Sequence, residues 1–176
     1  MGAAGPYKCL IQPMIRSDEP FLWEMLYQAI YVPPNAVAPP RQIVRSSELA
    51  RYVQGWGQAG DYGLKALRPD DLQPIGAVWL RLLTGENRGY GYVDDLTPEL
   101  SIAVLSGCRG KGVGTLLLTE LFECVRGRYK AVSLSVSEDN PVVSLYKRLG
   151  FEIVCQEGTS LKMKKDLASI SREGTV

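Results

Sequence analysis

The sequence predicts an α/β (α+β) fold in which a mixed β-sheet is flanked by helices. Segments with a strand pattern alternate with amphipathic helical segments, without an internal repeat. A glycine-rich segment at residues 109–115 joins a strand directly to such a helix. The 176 residues, 45% of them hydrophobic, can bury one core without disulfides or a structural metal. We therefore expect one domain over residues 1–167 and a disordered tail over residues 168–176.

The chain begins with a predicted strand, a helix and a long connection. A short apolar run at residues 9–14 is typical of a strand, and apolar side chains recur at helical spacing over residues 21–30. Prolines then make residues 31–45 an irregular loop, and loops of this length are often functional. The loop and nearby aromatic residues can line an acceptor cleft, although packing also explains the aromatic set of Trp23, Tyr27, Tyr31, Trp56 and Trp79.

A second helix and a hairpin follow. Ser46 or Ser47 can cap the helix, which we expect to run to about Trp56. Residues 62–67 and 75–83 have strand composition, and the intervening Pro-Asp-Asp favours a turn. These two strands therefore form a predicted hairpin.

The next elements surround the glycine-rich segment. Residues 86–95 form a predicted loop that contains glycines, and residues 99–105 form a strand bounded by Pro98 and Gly107. From Val113 onward, apolar side chains line one face of a helix that ends near Gly127.

The C-terminal part predicts a strand, a short helix and a hairpin. Residues 132–137 alternate apolar and serine side chains, which indicates a strand with one polar face. Asn140-Pro141 begins a helix that stops at Gly150, and residues 151–155 and 160–164 pair around a turn. The predicted order is β-α-α-β-β-β-α-β-α-β-β, with about seven strands and about four helices.

Charge and hydropathy exclude several partners. Lys plus Arg number 20 and Asp plus Glu 19, so the net charge of +1 favours neither nucleic acid nor a membrane surface. No apolar run approaches the roughly 18 to 20 residues that a membrane-spanning helix needs. The start of the chain also lacks the pattern of a secretion signal. We therefore expect a cytoplasmic protein.

The absence of histidine restricts the chemistry. A chain with no histidine has no Ser-His or Cys-His nucleophile pair, no imidazole base and no histidine metal ligand. The four cysteines are widely spaced, which argues against a zinc site. No metal is therefore predicted, and proton transfer falls to carboxylates, Tyr, Cys, Lys, the termini or water.

The glycine-rich segment predicts an anion site. The first N–H groups of a helix lack internal acceptors and carry the positive end of its dipole, while Arg109 and Lys111 add positive charge. Two common phosphate motifs do not match. A P-loop requires Ser or Thr where Gly112 follows Lys111, and the dinucleotide fingerprint requires Gly where Thr115 stands.

Two motifs in this half resemble those of the GNAT N-acetyltransferase superfamily. The first is Arg/Gln-x-x-Gly-x-Gly/Ala, which here is Arg109, Gly112 and Gly114 after a strand at residues 100–104. The second is Asn140-Pro141 followed by the SLYKRLGF run at residues 144–151. The resemblance covers residues 99–164 and implies a GNAT-like, mostly antiparallel central sheet.

The resemblance implies a cofactor and a reaction. The expected co-substrate is acetyl-CoA, and the expected activity is transfer of its acetyl group to a primary amine of an unidentified small molecule or peptide. A homodimer is compatible with the resemblance. The implied cofactor-binding residues are Ile102, Ala103, Val104, Arg109, Gly110, Lys111, Gly112, Val113, Gly114, Thr115, Asn140 and Tyr146.

The resemblance also implies catalytic roles. Tyr146 is the expected general acid for the leaving thiolate, although packing on the Gly150-Phe151 turn is the simpler role for this side chain. Glu99 is the expected base acting through water, with Asp94, Asp95 or water alone as alternatives. A backbone N–H near Val104 or Leu105 would hold the oxyanion. Cys108 is expected to be a packed thiol without a catalytic role.

Two other functions stay open at this level. One is a non-catalytic acyl-CoA-binding or sensing module on the same fold, which the presence of Tyr146 disfavours. The other is a nucleotide-dependent phosphotransferase, which the failed P-loop match disfavours.

Overall fold

The computed structural model describes residues 8–167 of the chain. The predicted tail at residues 168–176 lies outside this range, as do residues 1–7. The strands β1 to β7 are, in chain order, Leu10–Pro13, Tyr62–Leu67, Pro74–Arg81, Glu99–Val104, Ala131–Ser137, Glu152–Glu157 and Ser160–Asp166. They form one sheet in the spatial order β1-β2-β3-β4-β5-β7-β6. The predicted fold class and element order are confirmed.

Helices cover both faces of this sheet. The α-helices α1 to α4 are Glu19–Ala29, Ser47–Ala50, Val113–Val125 and Val143–Arg148. Short 3-10 turns occur at Arg16–Asp18, Arg41–Arg45, Gly85–Asn87 and Ser106–Cys108. None of the helices described is long and apolar enough to span a bilayer.

Two apolar clusters, one on each face, hold the layers together. Helix α3 packs Leu117 and Leu121 against β-strand residues such as Val78. Helix α1 packs Leu22 and Met25 against residues that include Trp79 on the opposite face. All six side chains are fully buried. The sheet is therefore held firmly from both faces. This fixes the position of β4, which carries the site.

The sheet opens between β4 and β5. The other neighbouring strands pair antiparallel, but β4 and β5 are parallel and share a single registered pair, Glu99 with Ser133. The Ser133 N–H also donates to the Pro98 carbonyl at 3.0 Å. Beyond this pair the strands separate, so the carboxyl end of β4 has one unpaired edge. That edge lines a cavity of about 690 Å³.

The second helix is much shorter than the sequence predicts. The prediction that it runs to about Trp56 is wrong, because α2 ends at Ala50 and turns follow. The buried guanidinium of Arg81 holds this segment in turns, since it binds the Arg51 carbonyl, which a helix to Trp56 would use, and two carbonyls that follow. The three acceptors are the carbonyls of Arg51 at 3.1 Å, Gln54 at 2.8 Å and Gly55 at 3.3 Å.

Two smaller expectations also change. The short helix begins at Val143 and not at Asn140-Pro141, because the Asn140 Oδ1 accepts the Val142 N–H at 3.1 Å and forms an Asx turn. The serine face of β5 is not polar throughout, because Ser133 is fully buried. The other predicted elements agree to within about two residues, as expected for pattern-based boundaries.

Candidate active site

Two adjacent cavities form the candidate site. The larger one, about 690 Å³, lies between the end of α1, β4, the start of α3 and the start of α4; we call it the glycine-loop cavity. The smaller one, about 390 Å³, lies against Glu99 and β5; we call it the Glu99 cavity. Both are lined by Ala29, Ile30, Tyr31, Pro39, Ile102, Asn140 and Tyr146. The two spaces therefore meet at the β4 edge and Tyr146.

The glycine loop presents backbone amides to the larger cavity. Gly110 and Gly112 have φ values of 70° and 83°, a left-handed conformation that favours glycine. A Cβ at either position would meet no atom within 4 Å, so the space beside the loop is open. The Leu116 N–H donates to the Gly112 carbonyl at 3.0 Å. The amides before Leu116 precede the first complete helical turn and can bind an anion.

The two cations of the loop are held by neighbouring carbonyls. The Arg109 guanidinium donates to the Val104 carbonyl at 2.8 Å, to the Gln28 carbonyl at 2.9 Å and to the Gln28 Oε1 at 3.2 Å. The Lys111 Nζ donates to the Gly107 carbonyl at 3.0 Å. Arg109 thus fixes the loop to both β4 and α1, and its charge stays beside the cavity.

The unpaired edge of β4 offers main-chain groups to the same cavity. The Leu105 N–H donates to the Ile75 carbonyl on β3 at 2.9 Å. Because main-chain groups alternate in direction along a strand, the Val104 N–H points the other way, into the gap beside β5. Of the two amides considered for an oxyanion, Leu105 is engaged in the sheet and Val104 is directed into the gap.

Tyr146 stands where the two cavities meet. Its side chain is buried and packs edge-on against Phe151, with ring centroids 5.6 Å apart. Its hydroxyl makes no hydrogen bond to any residue that the structure describes. Burial raises the pKa of Tyr146 above its ordinary value. The phenol therefore keeps its proton at neutral pH and is available as a donor.

Glu99 is a buried carboxylate on the other side of this junction. Its Oε1 accepts the Tyr52 hydroxyl at 3.0 Å and the Gly91 N–H at 2.6 Å. Within residues 8–167, its Oε2 has no hydrogen-bond partner. Burial raises the pKa of Glu99 above its ordinary value, against the opposing effect of these donors. A carboxyl group with a raised pKa is suited to accept a proton near neutral pH.

Sequence reasoning missed three residues that hold Glu99 in place. The Tyr52 hydroxyl donates to Glu99 and accepts the Tyr90 N–H at 2.7 Å. A Cβ on Gly89 would lie 2.2 Å from the Glu99 Oε2, and a Cβ on Gly91 would lie 2.8 Å from the Glu99 Oε1. Neither glycine has a positive φ, so close approach explains them. The glycines in the 86–95 loop were a visible signal, whereas nothing local marked Tyr52.

The two aspartates considered as alternative bases lie outside both cavities. Asp94 accepts the Leu96 N–H at 2.9 Å in a surface turn, and Asp95 accepts the Tyr92 hydroxyl at 2.8 Å. Neither lines either cavity. The described part of the chain holds no cluster of three potential metal ligands.

The proline-rich loop forms a wall of both cavities. The Tyr27 hydroxyl donates to the Pro39 carbonyl at 2.8 Å, which ties the loop to α1. The Tyr31 hydroxyl donates to the Asp139 carbonyl at 3.1 Å, across the mouth between α1 and β5. Tyr31 and Pro39 line both cavities, whereas the three tryptophans of the predicted aromatic set line neither.

Asn140 and Cys108 both line the larger cavity. Asn140 lies at the junction, with its Oδ1 engaged in the Asx turn described above. Cys108 is buried and its N–H donates to the Leu105 carbonyl at 2.8 Å. The remaining predicted cofactor residues, from Ile102 to Val104 and from Arg109 to Thr115, also line this cavity, except Lys111. The structure therefore brings most of the predicted residues together.

Comparison with known proteins identifies a family and related folds. The model of the acetyltransferase (GNAT) family matches residues 23–151. The PaiA N-acetyltransferase of Thermoplasma acidophilum, solved in complex with coenzyme A, superposes with a TM-score of 0.64 at 20% identity, over 90% of this chain and 99% of that one. No curated protein matches the sequence at a significant level.

Two further structures carry names that include an acceptor. The ribosomal-protein-S18-alanine N-acetyltransferase of Escherichia coli has a TM-score of 0.62 at 14% identity, over 96% of this chain and all of the other. The ribosomal-protein-alanine N-acetyltransferase of Brucella melitensis has a TM-score of 0.58 at 23% identity, over 90% and 99%. At these identities the likeness establishes the fold and leaves the acceptor open.

Proposed function

Because the chain belongs to the acetyltransferase (GNAT) family, we propose that it transfers an acetyl group from acetyl-CoA to a primary amine by direct attack. The observation that carries the proposal is the junction of two cavities at Tyr146. One cavity ends at open helix amides, and the other contains a buried carboxylate. An anionic thioester donor and a cationic acceptor thus have separate sites that meet at one proton donor.

The glycine-loop cavity fits coenzyme A in chemistry and in size. Its volume of about 690 Å³ lies within the range of roughly 300–1,000 Å³ typical of ligand sites. The pyrophosphate would bind the loop amides from Gly110 to Thr115, with Arg109 and Lys111 supplying positive charge. The pantetheine arm would lie along the unpaired edge of β4 at residues 102–104. Asn140 would contact the cofactor near the junction.

The chain's own residues supply three functions to the reaction. Bound acetyl-CoA provides the thioester carbonyl carbon, to which the amine nitrogen forms a C–N bond while the C–S bond breaks. Glu99, through water, accepts the proton that the ammonium form of the amine must lose. The Val104 N–H stabilises the negative charge on the carbonyl oxygen. Tyr146 donates its proton to the departing thiolate, and the attacking nitrogen then gives its remaining surplus proton to the Tyr146 phenolate. The products are an N-acetyl amine and coenzyme A.

The proposed roles follow from the positions of the groups. Glu99 and Tyr146 both line the Glu99 cavity, so the amine can lie between the acceptor and the donor of protons. The chain has no histidine. The titratable side chains that line this cavity are therefore Glu99, Tyr146 and the phenols of Tyr31, Tyr52 and Tyr90. Tyr31 and Tyr52 already donate their hydroxyl protons to protein acceptors.

The test is a transfer assay with product identification. Purified protein would be incubated with acetyl-CoA and a panel of primary amines, with thiol release followed continuously and N-acetyl product identified by mass spectrometry. We expect amine-dependent release of coenzyme A with equal formation of product. Tight binding of acetyl-CoA without transfer to any amine would instead support the non-catalytic acyl-CoA-binding module.

A further inference from the structure

The Glu99 cavity contains one ionisable carboxylate and no cationic side chain. Of the residues that line it, only Glu99 is acidic, and none is Lys or Arg. The other polar groups are neutral hydroxyls and one amide, from Tyr31, Tyr52, Tyr90, Tyr146, Ser101, Ser135, Ser137 and Asn140. A bound molecule therefore meets one negative charge and no compensating positive charge.

The cationic side chains on the elements around the cavity are engaged outside it. The Arg41 guanidinium pairs with Glu24, and the Arg45 guanidinium stacks over the Trp23 ring at 3.6 Å from its centroid. Both side chains leave the 3-10 turn at Arg41–Arg45, from which only Ile43 lines the cavity. On the β5 side, Lys162 forms an ion pair with Glu157 at 3.7 Å. Lys162 also favours the ionised form of Glu99. Arg81, which lies opposite Glu99 in the β3–β4 register, is paired with Asp61 at 3.0 Å.

The remaining wall is apolar and aromatic. It is formed by Leu26, Ala29, Ile30, Pro39, Ile43, Leu49, Leu100, Ile102, Leu134 and Val136, together with the tyrosine rings. With a volume of about 390 Å³, the cavity is in the lower part of the usual range for small-molecule sites, roughly 300–1,000 Å³. Such a wall gains free energy by removing apolar surface of a ligand from water.

We infer that the acceptor is a small amine with one positive charge and an apolar or aromatic body. This inference rests on the proposed function, because it names the class of amine that the transferase would use. The ammonium group would lie toward Glu99 and the apolar body against the wall of the cavity. A ligand carboxylate would be desolvated without a cation, and a second ammonium would be desolvated without a second anion.

The test compares matched amines with acetyl-CoA at saturation. The first pair is 2-phenylethylamine and phenylalanine, which differ by a carboxylate, and the second pair is hexylamine and 1,6-diaminohexane, which differ by a second ammonium. We expect kcat/KM to be about tenfold or more higher for the monoamine of each pair, equivalent to about 1.4 kcal/mol. A short peptide with a free N-terminus serves as a third comparison and should be a poorer substrate than 2-phenylethylamine.

Two variants with the same charge change test the location. Ile43→Lys places a cation on the wall of the cavity, and Val37→Lys places one on a side chain that is 94% exposed and lines neither cavity. We expect Ile43→Lys to narrow or reverse the preference for 2-phenylethylamine over phenylalanine, and Val37→Lys to leave it unchanged. Equal effects of the two variants would show that the cavity does not set the preference.

Calorimetric titration with acetyl-CoA separates failure of the inference from failure of the proposed function. If the protein binds acetyl-CoA and acetylates phenylalanine, diamines or peptides as well as the matched monoamines, the inference is overturned and the transferase remains. If no amine is acetylated, both are overturned. A thermal shift with 2-phenylethylamine in the presence of coenzyme A gives a readout of binding that does not depend on turnover.

Discussion

The hydroxyl of Tyr52 donates to the Oε1 of Glu99 at 3.0 Å, although 47 positions separate the two residues in the chain. The same hydroxyl accepts the Tyr90 N–H at 2.7 Å, so it joins the carboxylate to the loop that covers it. The Tyr52 carbonyl in turn accepts the Trp79 Nε1–H at 2.9 Å in the core. Tyr52 is thereby a positioning residue that acts on the reaction through Glu99.

Replacing Tyr52 with Phe should shift the pH dependence of the reaction. The Tyr52 hydrogen bond favours the ionised form of Glu99, so its loss raises the pKa of that carboxyl further. We expect kcat/KM to fall roughly three- to tenfold near pH 6 and to recover at higher pH, as the base is again ionised. The measurement is a pH profile of kcat/KM for both proteins.

A surface tyrosine provides the matched control. Tyr92→Phe removes a hydroxyl that donates to Asp95 at 2.8 Å, outside both cavities. Its pH profile should coincide with that of the parent protein. Identical profiles for Tyr52→Phe and the parent would show that Tyr52 does not act on the base.

Tyr146→Phe should separate chemistry from binding. The variant loses the proposed donor and keeps the ring that packs on Phe151. We expect kcat to fall by about 10²- to 10⁴-fold, the usual contribution of a general acid. The thermal midpoint should change little, because the hydroxyl bonds to none of the residues in the described range. A kcat within about twofold of the parent value would leave Tyr146 with a packing role alone.

Alanine at Gly89 or Gly91 should displace the base without affecting the cofactor. A Cβ at Gly91 would also lie 2.8 Å from the backbone of Leu134, which cannot shift as easily as the side chains that a Cβ at Gly89 would meet. We expect each variant to lose most of its activity and about 1–3 kcal/mol of stability, as overpacked sites do. Calorimetry should show unchanged affinity for acetyl-CoA.

Gly107→Ala is the control for these two substitutions. A Cβ at Gly107 would meet no atom within 4 Å, and its φ is not positive. Its activity and stability should stay at or slightly above the parent values. If Gly89→Ala also kept its activity and stability, the close approach of Gly89 to Glu99 would not be needed for the reaction.

The glycine loop makes opposite predictions for two of its glycines. Gly112 has a φ of 83°, so Gly112→Ala strains the backbone by about 1–2 kcal/mol and places a methyl group beside the open amides. At Gly114 a Cβ would make ordinary contacts of 3.8 Å and 3.9 Å with Ile102 and Val104. We expect Gly112→Ala to weaken coenzyme A binding by about tenfold or more and Gly114→Ala to change it little. The measurement is calorimetry, and equal affinities would contradict the proposed placement of the phosphates.

Glu99 also predicts how stability depends on pH. Since its pKa is raised on folding, the folded protein binds more protons than the unfolded chain between the ordinary pKa and the raised one. Its stability therefore falls as pH rises through that interval. Glu99→Gln removes this titration, so the thermal midpoint of the variant relative to the parent should increase as pH rises from about 4, the ordinary value for Glu, through the raised pKa. A constant or decreasing difference in the thermal midpoints would contradict a raised pKa.

The sequence predicted those parts of the molecule that local patterns determine. The period-two alternation around Leu134 and the apolar face from Val113 onward correspond to β5 and α3. The glycine loop could be placed at a strand-to-helix junction because the backbone itself requires glycine at positions with positive φ, such as Gly112. These signals lie within a few residues of the feature that they predict.

The remainder depends on contacts between distant segments. Helix α2 stops at Ala50, and Arg81, on strand β3, binds the Arg51 carbonyl that a longer helix would use. Tyr52 and Gly89 could not be connected to Glu99 from the sequence, because only the folded sheet brings them to the start of β4. The assignment of Glu99 as the base and Tyr146 as the general acid came from the family resemblance, and the variants above test it.

Isothermal titration calorimetry of the purified protein with acetyl-CoA, coenzyme A and ATP is the most direct test of the central claim. The account predicts that acetyl-CoA and coenzyme A each bind at one site per chain. At a free concentration of 100 times its dissociation constant, either ligand should stabilise the folded protein by about 2.7 kcal/mol and so raise its thermal midpoint. ATP should bind at least tenfold more weakly. Folded protein that binds ATP and fails to bind acetyl-CoA would contradict the assignment of the glycine-loop cavity and the acetyl transfer proposed from it.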